Sequence, residues 1–170
     1  MKNNILLIAF ILFSITITAQ KGFKLGIHGS LPLGENKKVV SLGAGIDVGY
    51  MYPLGEVVDL GVMTGFINGF PETFHEEVVL RDLPNVQFVP VALGLRIWPS
   101  NSFSFGGEIG NAFGMNDGNE GGIYYKPIIG LLFGAQVEVN LSYTNVVLDG
   151  EDWSTANLGV LYTFPPKNPY

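Results

Sequence analysis

Seven ionisable residues, Lys24, Asp47, Asp59, Arg96, Glu108, Lys126 and Glu138, stand within segments otherwise built largely of apolar residues and glycine. Three are cationic and four anionic. Charges taken out of water must pair, because an isolated buried charge costs several kcal/mol. Such a set can do one of two things. It can form a salt-bridge network that fills a closed space, or it can line a narrow path for ions or protons. The near balance of sign favours the network.

Three further groups could carry chemistry. His28 and Ser30 are two residues apart, so on an extended chain they share a face. Serine and histidine together suggest hydrolysis, but no acid partner is identifiable and no G-x-S-x-G is present. The chain is therefore read as a non-enzyme with no catalytic residues. A second set is acidic: Glu35, Glu72, Glu76, Glu77, Asp82, Asp117, Glu120, Asp149, Glu151 and Asp152, against Lys37, Lys38 and Arg81. Carboxylates suit Ca²⁺ or Mg²⁺. However, Asn116-Asp117-Gly118-Asn119-Glu120 matches only a fragment of a calcium loop and lacks the later bidentate glutamate. No metal or cofactor site is assigned, and solvated charge is the default reading. The third group mixes apolar and charged residues between 70 and 87. Phe74, His75, Glu76, Glu77 and Arg81 make this stretch the candidate surface-contact loop, and a short amphipathic helix over 74–83 is one form it could take.

The elements that must position these groups are strands. Eight segments alternate large apolar residues with small or polar ones: about 22–31, 40–51, 57–67, 88–98, 102–113, 122–133, 136–147 and 154–164. Successive side chains of a strand point to opposite faces, so each segment has one apolar and one small or polar face. All seven charges fall on the second face. In 122–133 the pattern is weakest, because Ile128 and Leu132 interrupt the polar side. Short connections (51–56, 99–101 and 134–135) alternate with longer, more polar ones (32–39, 68–87, 114–121 and 148–153). A segment of about 10 alternating residues suits a membrane-spanning barrel strand, and short turns then mark the periplasmic side. An even strand number returns both termini to that side. Aromatics would form two girdles. Phe23, Tyr50, Trp98, Phe103, Phe133, Tyr162 and Phe164 would lie at the periplasmic rim. Phe66, Phe88, Phe113, Tyr125, Tyr143 and Trp153 would lie at the outer rim.

Composition agrees. Only 14% of residues are charged and 23 of 170 are glycine, unlike an ordinary soluble domain, while 47% hydrophobic content excludes disorder. The net charge of −6 argues against nucleic acid as a partner. The absence of cysteine excludes disulfides, thiolate metal sites and a lipidated cysteine. Lys2, the apolar run Ile5 to Phe13 and the small or β-branched stretch to Ala19 read as a signal peptide over 1–19. The barrel would occupy 20–164 and a short tail 165–170.

On the leader, the eight alternating segments, the glycine-rich face and the aromatic last strand Leu158 to Phe164, the chain resembles the small eight-stranded OmpA/OmpX-like outer-membrane β-barrel family. It departs from that pattern where Pro165 to Tyr170 follow Phe164. The expected fold is all-β, a single antiparallel up-and-down transmembrane barrel in the cell outer membrane. The expected role is structural or one of surface contact. The alternatives are a small channel or carrier, or a soluble periplasmic ligand-binding barrel with its faces reversed. Expected partners are outer-membrane lipid and lipopolysaccharide, bridged by divalent cations, the barrel insertion machinery, and an extracellular partner that the sequence does not identify.

Overall fold

A computed structural model describes residues 21–34, 40–71, 85–150 and 152–165. The expected signal peptide, the contact loop from Phe74 to Arg81, and tail residues 166–170 lie outside the described residues.

Eight strands run in chain order: β1 (Gly22–Pro32), β2 (Val40–Pro53), β3 (Val58–Pro71), β4 (Val86–Ile97), β5 (Phe103–Gly114), β6 (Gly122–Phe133), β7 (Val137–Val147) and β8 (Trp153–Phe164). Each pairs antiparallel with the next. β8 closes the ring on β1 from Phe23↔Phe164 to Pro32↔Thr155. Every strand has 11 to 14 residues. At about 3.3 Å per residue and a tilt near 40°, 11 residues cover roughly 27 Å of height, enough for the apolar band of a membrane barrel.

The alternation that makes these strands also sorts their side chains. β1 alternates buried and exposed residues without interruption from Gly22 to Pro32. Here the exposed set is the greasy one. Ile27, Leu93, Ile109 and Leu158 are 66%, 60%, 64% and 59% exposed, while Lys24, Arg96 and Glu138 are 1%, 3% and 0% exposed. An exterior of Leu, Ile, Val and Phe around a charged interior reverses the arrangement of a water-soluble barrel. It takes hydrocarbon as its solvent, so the barrel is a membrane-spanning one. The faces are therefore not those of a soluble ligand-binding barrel.

Several boundaries differ from the sequence reading. β2 runs on to Pro53, so Tyr52 and Pro53 are strand residues rather than part of the short connection. β3 extends to Pro71 and β4 starts at Val86, which narrows the connection expected over 68–87. Val40 was expected on the lipid side but is 1% exposed. A register shift between Val40 and Leu42 carries it inward, because one extra residue reverses the faces. In the tight β6–β7 connection, Gly134 adopts a φ of 71°, a left-handed conformation that glycine takes without penalty.

Candidate functional site

Three strata fill the barrel. Toward the end that carries the termini, Trp98 Nε1 donates to Asp59 Oδ2 at 2.8 Å, and Lys24 Nζ donates to Thr163 Oγ1 at 2.9 Å. Arg96 stands between two acids: its Nη2 is 3.7 Å from Glu108 Oε1 and its Nε is 3.7 Å from Glu138 Oε1. These contacts are longer than hydrogen bonds, so the attraction is electrostatic.

In the middle, Asp47 bridges two bases. Lys126 Nζ donates to its Oδ1 at 2.8 Å, and His28 Nδ1 lies 2.8 Å from its Oδ2. Glu108 makes a similar bridge, because Tyr124 Oη donates to its Oε2 at 3.0 Å. β2 and β6 are not neighbours in the ring, so the Lys126–Asp47 pair crosses the lumen. Glycine makes this possible. A Cβ at Gly45 would meet the His28 ring at 2.4 Å, and one at Gly130 would meet Ser104 Oγ at 2.6 Å and the Glu138 carboxyl at 2.8 Å. The glycines of the inner face are thus the volume that the charged side chains occupy.

Toward the outer end the lumen turns apolar. Val40, Ile67, Phe88, Ala92, Ala112, Tyr124, Val146 and Trp153 form one buried cluster, with Val86 and Leu148 packed on it. The rings of Phe88 and Trp153 lie 5.9 Å apart. One wall beside them is polar but self-satisfied. Asn157 Nδ2 donates to Thr144 Oγ1 at 2.9 Å, and Thr155 Oγ1 donates to Asn157 Oδ1 at 2.9 Å.

All seven charges face the lumen. Lys24 and Asp59 pair with Thr163 and Trp98, Asp47 with Lys126 and His28, and Arg96 with Glu108 and Glu138. His28 is engaged by Asp47, and Ser30 is 1% exposed, so neither reaches a substrate in the bilayer or in water. In the β5–β6 loop, Gln87 N donates to Asn116 Oδ1 at 2.8 Å and Asn119 Nδ2 donates to Gln87 O at 3.2 Å. These side chains clamp the loop to β4 instead of presenting oxygens to a cation. Among the described residues, no three His, Asp or Glu converge as a metal would require.

The aromatic girdles are partly corrected. Phe23, Tyr50, Phe103, Phe133, Tyr162 and Phe164 face outward at one rim, and Phe66, Phe113 and Tyr125 do so toward the other. Phe88, Trp98 and Trp153 do not. They are 0%, 1% and 3% exposed and lie inside. Trp98 has a polar reason to be there, its bond to Asp59, while Phe88 and Trp153 build the outer plug. Tyr124 and Met51 are further lumen residues that the sequence reading passed over. At the outer rim Tyr143, Asn145 and Ser154 form a hydrogen-bonded group in which Asn145 is buried, with Asn145 Nδ2 also donating to Asp152 Oδ2 at 3.3 Å.

Comparison with known proteins adds the fold. No protein-family model and no curated protein matches the chain. Among solved structures, it is similar to the attachment invasion locus protein Ail of Yersinia pestis. The Ail crystal structure aligns with a TM-score of 0.61 at 17% identity, covering 86% of this chain and 99% of Ail. Ail in a phospholipid bilayer nanodisc aligns at 0.57 and 16% identity, covering 85% and 100%. A de novo designed transmembrane β-barrel aligns at 0.53 and 9% identity, covering 86% and 98%. The likeness is one of fold: a closed eight-stranded outer-membrane β-barrel, as in Ail.

Proposed function

We propose that this chain is an integral protein of the cell outer membrane with a closed lumen, and that its role is structural or one of surface contact rather than transport or catalysis. One observation carries the reading: the polar lumen is stoppered at its outer end by the cluster around Phe88, Val146 and Trp153. Water and ions would have to cross a packed apolar layer whose members are nearly unexposed, and below it they would have to break ion pairs that fill the section. A lateral route for hydrophobic compounds is also opposed, because β1 and β8 stay paired along their length.

The outer loops are the working surface under this reading. Their acidic excess favours cationic contacts, including divalent cations that bridge to lipopolysaccharide phosphate. It does not favour polyanions such as the sucrose octasulfate held by Ail in one of its crystal structures. The outward-facing aromatics Tyr162 and Phe164 of the last strand are the segment offered to the insertion machinery.

Planar-bilayer recording tests the closed lumen. Purified, refolded protein is expected to give no unitary conductance. Steps that scale with salt concentration would overturn the reading in favour of a pore. Mass spectrometry of lipid A after expression is expected to show no new species, and a modified lipid A would reveal an enzyme.

A further inference from the structure

The outer wall of the barrel carries a depression of about 710 Å³ on its lipid side. Its floor is Gly29 and Ala44, which face each other in the β1–β2 register. Leu158 and Val160 rise on one flank and Phe66 and Phe70 on the other. A Cβ at Gly29 would meet nothing within 4 Å, so the hollow comes from the choice of glycine and not from missing packing. Gly29 lies three residues from the outer end of β1 and seven from the other end, about 10 Å and 23 Å along the strand. The hollow therefore sits in the outer-leaflet half of the wall.

One polar group opens onto it. Asn68 lines the depression, and its Oδ1 accepts from Gln87 Nε2 at 2.8 Å. That bond fixes the amide plane, and the NH₂ end makes no hydrogen bond with the described residues. A donor facing hydrocarbon is costly unless a ligand satisfies it. Apolar walls with an oriented amide donor level with their glycine and alanine floor match an acyl chain that carries an ester or hydroxyl oxygen.

We propose that this groove is a binding site for one acyl chain of lipopolysaccharide, with Asn68 Nδ2 donating to an oxygen of the chain's polar end. The proposal rests on the membrane-spanning reading and on the long loops facing outward. Lipopolysaccharide is the committed source because the groove lies at the level of the outer leaflet. A phospholipid chain or a second copy of the barrel is an outcome that the test can return instead.

The experiment uses the full chain, reconstituted in phosphatidylethanolamine/phosphatidylglycerol nanodiscs with and without lipopolysaccharide, then released into mild detergent. Retained lipid is counted by native mass spectrometry. Gly29→Leu fills the groove from a position whose Cβ meets nothing within 4 Å, Asn68→Leu removes the donor, and Leu93→Ala alters another part of the wall. Wild type and Leu93→Ala are expected to retain lipopolysaccharide. Gly29→Leu should lower retention about tenfold or more, and Asn68→Leu should lower it for lipopolysaccharide but not for phospholipid. Equal retention by Gly29→Leu, equal retention of phospholipid by wild type, or a cross-linked dimer that Gly29→Leu abolishes would each overturn the proposal. Unboiled samples of each protein should show the shifted electrophoretic mobility of a folded barrel. A wild type that lacks the shift and stays out of membranes would sink the membrane reading itself, which separates the two failures.

Discussion

Arg96 offers a quantitative test of whether the lumen is held by charge pairing. It is 3% exposed and stands 3.7 Å from both Glu108 and Glu138. Replacing it by methionine keeps most of the volume and removes the positive charge. Glu108 retains the hydrogen bond from Tyr124, but Glu138 is 0% exposed and neither of its oxygens has a hydrogen-bond partner. Breaking a buried pair by deleting one partner costs about 3–5 kcal/mol, because the remaining charge is left uncompensated. Replacing both partners by apolar residues is usually neutral or better. Arg96→Met should therefore destabilise the barrel by about 3–5 kcal/mol, and Arg96→Met with Glu138→Met should recover most of that. The coupling of about 3 kcal/mol lies at the top of the range for residues in contact. The assay is urea unfolding from lipid vesicles, followed by tryptophan fluorescence, since Trp98 and Trp153 both report on the lumen. A single variant within about 1 kcal/mol of wild type would refute the reasoning, as would a double variant no better than the single.

The exterior and the remaining lumen give three further expectations. Leu93→Arg, on the lipid face and 60% exposed, should cost about 2–4 kcal/mol in vesicle unfolding, whereas a cost near zero would mean that water, not hydrocarbon, surrounds it. Trp98→Phe keeps the ring but leaves Asp59 without the indole donor, so a loss of about 1–3 kcal/mol is expected in the same assay. Gly45→Val would drive a side chain into the His28 ring, so the unboiled, fast-migrating form should be depleted on gels, and full recovery of that form would contradict the packing described.

Parity is what made the lumen legible. On β4, Ala92, Gly94 and Arg96 share one face, and counting by two reaches Phe88 in one direction and Trp98 in the other. Both rings are in fact inside. The same count on β8 ties Trp153 to Thr155, Asn157 and Gly159, and on β6 it ties Tyr124 to Lys126. The signal for these residues was present, and it was the general preference of aromatics for membrane interfaces that hid it. Val40 is a different kind of miss. Its inward turn depends on a bulge whose position no period-2 pattern encodes. The partners of each charge were also illegible, because Lys126 meets Asp47 across the barrel at a separation of 79 residues, and only closure of the ring sets that contact. Loop composition showed an acidic surface, but it did not show that Asn116 and Asn119 are engaged in clamping β4.

The vertical ordering of the lumen is a stronger argument about function than its charge content. A charged interior alone suits a pore or a plug equally well. Placing eight largely apolar side chains above the charges separates those possibilities, because ions need a continuous polar path and this stratum interrupts it at the mouth that faces the medium. The bulge at Val40–Leu42 contributes directly, since without that register shift Val40 would face lipid and the stopper would lose one of its members. The glycines contribute from below by letting long charged side chains reach across the ring and offset one another, three cations against four anions. Conversion to a channel would thus need two changes together: removal of bulk at Phe88 and Trp153, and removal of the cross-lumen pair at Lys126 and Asp47. Either change alone leaves the other barrier in place.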